Sequence, residues 1–133
     1  MYLLDTNIFI ELLLEQEKAE DVRKFLINHD PCELYITEFS FYSIGIILLK
    51  LKQKELLHKF IKDTFYNSEI NLVRLKPPEI ERVIIVAEQF NFDFDDAYQY
   101  VTAEKYGLTL VSFDTDFDRT ERGRKTPAEI IEK

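Results

Sequence analysis

Leu110-Val-Ser-Phe-Asp-Thr-Asp-Phe-Asp118 is the stretch that decides how this chain is read. The apolar run Leu108–Phe113 ends on Asp114, and acids recur at Asp116 and Asp118. That alternation looks like a calcium loop, but the spacing fails. With Asp114 in the first position of such a loop, the sixth should be glycine and is Arg119, and the twelfth should be glutamate and is Lys125. What remains is a short buried strand that presents a carboxylate at its carboxyl end. Met1–Leu4 does the same with Asp5, and Thr6 and Asn7 follow as further polar groups. A third acidic stretch, Phe92-Asp-Phe-Asp-Asp-Ala97, precedes an amphipathic helix expected over Asp96–Tyr106 and stopped by Gly107. One helix needs one cap; Asp95 suits that place and Asp96 is the candidate for a site.

Between these points the apolar pattern alternates in kind. Strands are expected at Met1–Leu4, Glu33–Thr37, Ile70–Leu75 and Leu108–Phe113. Helices are expected at Asn7–Leu14, Ala19–Asn28, about Glu38–Lys50, Gln53–Tyr66, from Pro77-Pro78 to Phe90, at Asp96–Tyr106, and in a short piece opened by Thr126-Pro127. The run from Glu38 to Lys50 is so apolar that it reads as buried. Strands alternating with helices imply an α/β fold with a parallel sheet and helices on both faces. No repeat, linker or low-complexity segment divides residues 1–133, so one domain is expected. Open sheets of this kind build their sites at the carboxyl ends of the strands. Carboxylates gathered there repel one another unless a hard divalent cation neutralises them. Asp5, Asp96 and Asp114 therefore read as a Mg2+ or Mn2+ site, most simply one that acts on phosphodiesters.

The formal net charge of −8 argues against a stand-alone nucleic-acid binder, which needs a basic face. It leaves room for a nuclease whose acids carry metal. Cys32 is the only cysteine, which points to a reducing, intracellular setting. The longest uncharged apolar stretch, Phe39–Leu49, falls short of the ~20 residues a bilayer span requires, and Asp5 and Glu11 interrupt the apolar N-terminus, so neither a membrane helix nor a signal peptide is expected. His29 and His58 are isolated and offer no metal or general-base pair. Arg119, Arg122, Arg124 and Lys125 form a basic loop beside the acids, suited to RNA phosphates or to solvent. A phosphotransfer receiver domain is disfavoured: Asp5 has no adjacent acid, and no lysine follows Ser112.

In this order on one α/β chain, the motifs resemble those of the PIN domain family, especially the small VapC-type toxins of toxin–antitoxin pairs, over essentially the whole chain. Leu3-Leu-Asp5-Thr6-Asn7-Ile-Phe9 is similar to the family's first motif, Asp96-Ala97 to its third, and Leu110-Val-Ser112-Phe-Asp114-Thr-Asp116-Phe117 to its fourth. The resemblance implies a three-layer α/β/α sandwich with a parallel sheet, hydrolysing RNA with Mg2+ or Mn2+. It implies Asp5, Asp96 and Asp114 as catalytic metal ligands, Asp116 as an auxiliary ligand, and Thr6, Asn7 and Ser112 as groups supporting them. It also implies an RNA substrate, a small antitoxin partner, a homodimer and a cytoplasmic location. Apolar faces on Asn7–Leu14 and Gln53–Tyr66, larger than a small sheet covers, suit the partner and the second copy. The second motif departs from the family. Ser43 stands where it has a glutamate, and Glu38 lies about 140° away around the helix. Ser43 could still hydrogen-bond a water on the metal. The expectation is a ribonuclease toxin; the alternative is a PIN-fold protein of weakened or absent turnover that acts through protein–protein binding.

Overall fold

The computed structural model describes residues 1–131. Four short strands, β1 (Tyr2–Leu4), β2 (Leu34–Thr37), β3 (Asn71–Val73) and β4 (Thr109–Val111), form a wholly parallel sheet in the order β3-β2-β1-β4. Leu3 pairs with Tyr35 on one side and Leu110 on the other. The strands are shorter than the apolar runs suggest. β1 turns into a helix directly after Leu4, so β4 loses its neighbour beyond Val111. The far side of β4 is closed instead by Lys125, whose N–H donates to the Leu110 carbonyl at 2.9 Å and whose carbonyl accepts from Ser112 at 3.0 Å.

Helices cover both faces. Leu4, Ile36 and Val111 point to one core, filled by α1 (Thr6–Leu13), α2 (Ala19–Ile27), α3 (Glu38–Lys50), α4 (Lys54–Ile61) and α7 (Pro127–Ile131) through Ile8, Phe25, Ile44, Phe60 and Ile130. Leu3 and Leu110 point to the other, filled by α5 (Ile80–Phe90) and α6 (Phe94–Tyr106). Alternate residues of one strand thus serve opposite cores, which makes a three-layer α/β/α sandwich. Strand order also creates the crevice. The chain moves outward from β1 to β2 and β3, then returns to lay β4 on the other side of β1. The carboxyl ends of β1 and β4 flank this topological switch point, where open sheets bind ligands.

Three local expectations are corrected. The helix expected from Asp96 starts at Phe94, so Asp93 takes the N-cap position, without a side-chain capping bond, and Asp95 and Asp96 both fall in the first turn. Phe94 drives this: its ring packs on Phe39 and Tyr98. The helix expected over Gln53–Tyr66 is α4 followed by one π-helical turn at Lys62–Tyr66. The wider turn lets both Phe60 and Phe65 pack on Phe41. Finally, the apolar faces of Asn7–Leu14 and Gln53–Tyr66 are largely used inside the molecule. The large exposed row lies instead on and just beyond α3, where Tyr42, Ile46, Leu49 and Leu51 are each more than half exposed while Ile44 and Leu48 are buried.

Candidate metal centre

Asp5 leaves β1 with extended backbone and caps α1. Its carboxylate is saturated with donors. Oδ1 accepts from the Thr6 N–H at 2.8 Å and Gln99 Nε2 at 3.2 Å; Oδ2 accepts from Ser112 Oγ at 2.7 Å and Asn7 Nδ2 at 3.4 Å. The side chain is buried, and burial lifts its pKa to about 6. Hydrogen bonds from Ser112 and Thr6 pull the value down, and the charges of Asp114 and Asp95 push it up.

The opposite wall is acidic. Asp96, half-buried in the first turn of α6, titrates at about 7, first because of burial and then because of the charges of Asp114, Asp95, Asp5 and Asp116. Asp114 follows β4 and caps a 3-10 turn over Thr115–Arg119: its Oδ1 accepts from the Asp116 N–H at 2.8 Å, and its own N–H donates to Ser112 Oγ at 3.0 Å. One carboxylate oxygen each from Asp96, Asp114 and Asp116 lies within 4.8 Å of the others, and Asp93, Asp95 and Asp96 make a second such trio. Asp5 belongs to neither trio. It stands in the same cleft, a space of about 490 Å3 lined also by Thr6, Asn7, Ser43, Asp95, Asp96, Gln99, Asp114 and the apolar Ile10, Phe39, Ile46 and Ile47.

The structure therefore brings Asp5, Thr6, Asn7, Ser43, Asp96 and Asp114 to one cleft, with Asp116 beside Asp96 and Asp114, and with Ser112 buried beneath as the hydroxyl joining Asp5, Asn7 and Asp114. Glu11 stays outside, accepting from the Lys18 N–H, and Glu38 lines a separate groove with Tyr42 and Arg74. The three arginines of the basic loop, partly exposed as they are, already have partners within the chain. Arg119 donates to Asp116 and to the carbonyls of Phe90 and Asn91, Arg122 to those of Ala103 and Leu108, and Arg124 to Asp118 and the Ser112 carbonyl. These arginines staple the chain behind the acids. Two buried residues that the motifs did not flag complete the cleft. Ser40 Oγ accepts from Thr6 Oγ1 at 2.9 Å and from Gln99 Nε2. A signal existed for both: Gln99 follows Asp96, and Ser40 precedes Ser43, at the i, i+3 spacing that shares a helix face.

The PIN domain family model matches residues 2–123. The chain belongs to the PIN domain family. Among solved structures, this PIN domain is similar to a chain of a toxin–antitoxin complex from Klebsiella pneumoniae, at 22% identity and a TM-score of 0.74, covering 96% of this chain and 98% of that one. FitAcB from Neisseria gonorrhoeae matches at 22% identity and a TM-score of 0.72, over 96% and 98%. VapC20 from Mycobacterium tuberculosis, described as a sarcin-ricin loop cleaving toxin, matches at 12% identity and a TM-score of 0.74, over 89% and 93%. No curated protein matches. These likenesses show the fold. The donor set of the PIN domain's cleft is all oxygen and mostly anionic, without thiol or imidazole, which suits a hard divalent cation. Among the described residues no helix is long and apolar enough to cross a membrane.

Proposed function

We propose that this PIN domain is a Mg2+- or Mn2+-dependent endoribonuclease, the toxin of a toxin–antitoxin pair, working as one cytoplasmic domain. One observation carries the reading. Asp5, Asp96, Asp114 and Asp116, from three segments far apart in the chain, meet at the switch point of the sheet, where burial first and their mutual charge second raise the pKa values of Asp5 and Asp96 to about 6 and about 7. A fold keeps such a destabilising cluster where something neutralises it. Asp96, Asp114 and Asp116 would hold the cation, with Asp5 facing them. When bound, the cation lowers the pKa of water and offsets charge on the phosphodiester. The chain's own residues prepare the place: Ser112 orients Asp5, the Asp116 N–H fixes Asp114, and Arg119 draws Asp116 toward the rim. Ser43 offers a hydroxyl to the cleft.

The similarity to toxin–antitoxin structures supports the biological half of the reading by analogy of fold. The exposed row Tyr42, Ile46 and Leu49 on α3 supports an apolar partner, either a helix of a small antitoxin or a second copy of the chain. Ser43 favours one rival reading, a protein that keeps the fold and the partner surface while turnover is weak. Incubation of RNA with the purified chain, with Mn2+ or with EDTA, separates the two. Cleavage that requires Mn2+ and disappears in Asp114→Asn is expected. Absence of cleavage by the parent with Mn2+ would overturn the enzyme reading.

A further inference from the structure

Gln99 stands apart from the rest of α6. Every residue from Ala97 to Ala103 is buried, and Gln99 is the only side-chain amide among them, 2% exposed. Its Nε2 is held between Asp5 Oδ1, at 3.2 Å, and Ser40 Oγ. Its Oε1 is buried and, among the described residues, has no hydrogen-bond partner. The orientation of the amide is settled by chemistry: turned over, it would set Oε1 against the Asp5 carboxylate, oxygen to oxygen. An apolar side chain of similar length would fill this place without stranding a buried acceptor, and so would fold at lower cost. What the glutamine supplies in return is one N–H aimed at Asp5.

That N–H has a mechanical role. Asp5 hangs from the end of β1, whereas Asp96 stands on α6 one turn before Gln99. Like charges facing one another across the cleft repel. Gln99 ties the carboxylate of one wall to the helix that carries the other. We infer that Gln99 is a positioning residue, whose Nε2, anchored on Ser40, fixes the Asp5 carboxylate at a set distance from Asp96 and thereby sets the affinity of the cleft for a divalent cation. The inference rests on the metal reading above.

Titration calorimetry with Mn2+ on the parent and on Gln99→Met, together with thermal unfolding of both proteins in EDTA, tests it. Partners of this kind change metal affinity by about 10- to 100-fold when removed. Gln99→Met should lose Mn2+ affinity on that scale while its metal-free melting temperature holds or rises, because the stranded acceptor is gone. A residue that only packs would do the reverse. Equal Mn2+ affinity in parent and Gln99→Met overturns the role of Gln99 and leaves the metal reading standing. No Mn2+ binding by the parent overturns both. If Gln99→Met does not fold, Ser40→Ala, which removes the anchor and keeps the amide, decides by the same comparison of affinities.

Discussion

Asp96→Asn should stabilise the metal-free protein, although most substitutions destabilise. Burial and the charges of Asp114, Asp95, Asp5 and Asp116 hold the Asp96 carboxyl at about 7 instead of the ordinary 3.8. For an acid raised on folding, the favourable contribution is complete below 3.8 and is lost as the pH climbs through about 7, because the folded state resists ionisation that the unfolded chain accepts. Taken whole, at about 1.4 kcal/mol per pH unit, the penalty above pH 7 would be about 4 kcal/mol. Asp96 is only half-buried and water screens its neighbours, so about 1–2 kcal/mol is the working figure. For a chain of this size that corresponds to a gain of about 3–8 °C in melting temperature. Scanning calorimetry in EDTA reads it. The gain of Asp96→Asn over the parent should be largest near pH 8 and clearly smaller near pH 5, where the folded parent already holds Asp96 protonated. Saturating Mn2+ should reverse the order, since the parent has one more charged oxygen for the cation. No gain near pH 8, or the same gain at both pH values, would refute the argument that the acids destabilise one another.

Ser43→Glu adds a carboxylate to the cleft lining, so it should melt lower than the parent in EDTA and gain more from Mn2+; equal Mn2+-induced shifts would show that position 43 does not reach the cation. Ile46→Lys places a charge in the exposed row of α3. Light scattering should give the mass of two chains for the parent and of one for the variant, and an unchanged dimer would put the interface elsewhere. Tyr98→Phe removes the hydroxyl that accepts from the buried Leu75 N–H at 2.8 Å, and should cost about 1–2 kcal/mol in urea unfolding; no change would mean that the N–H finds another partner.

Asp5 and Asp114 were legible because each closes an apolar run, a pattern that needs no knowledge of the rest of the chain. The parallel sheet with helices on both faces followed from strands alternating with helices. What escaped depends on distant partners. Phe94 extends α6 because Phe39, on another element, receives its ring. The arginines after Asp116 look like a phosphate-binding loop until the carbonyls of Phe90, Ala103 and Leu108 are seen to occupy them. α3 reads as wholly buried because apolar composition cannot distinguish a core face from a face reserved for contact; only the side that Ile44 and Leu48 take inward tells them apart. Gln99 was overlooked because its meaning lies in Asp5 and Ser40, 94 and 59 positions away.

Because β1 lies between β2 and β4, the first strand gains its second neighbour only when the last one arrives. The hydrogen bond from Ser112 to Asp5 spans 107 positions, which at ordinary ribosomal speed separates the births of its two partners by roughly 5–20 s. Throughout that interval the nascent chain carries Asp5 without Asp114, and then Asp96 without the strand that would hold it in place. Loop closure over such a separation is slow, and it comes late in folding. Whatever chemistry the cleft performs therefore waits until β4 and Asp114 have been made, and a ribosome stalled before them carries a chain whose cleft is unfinished.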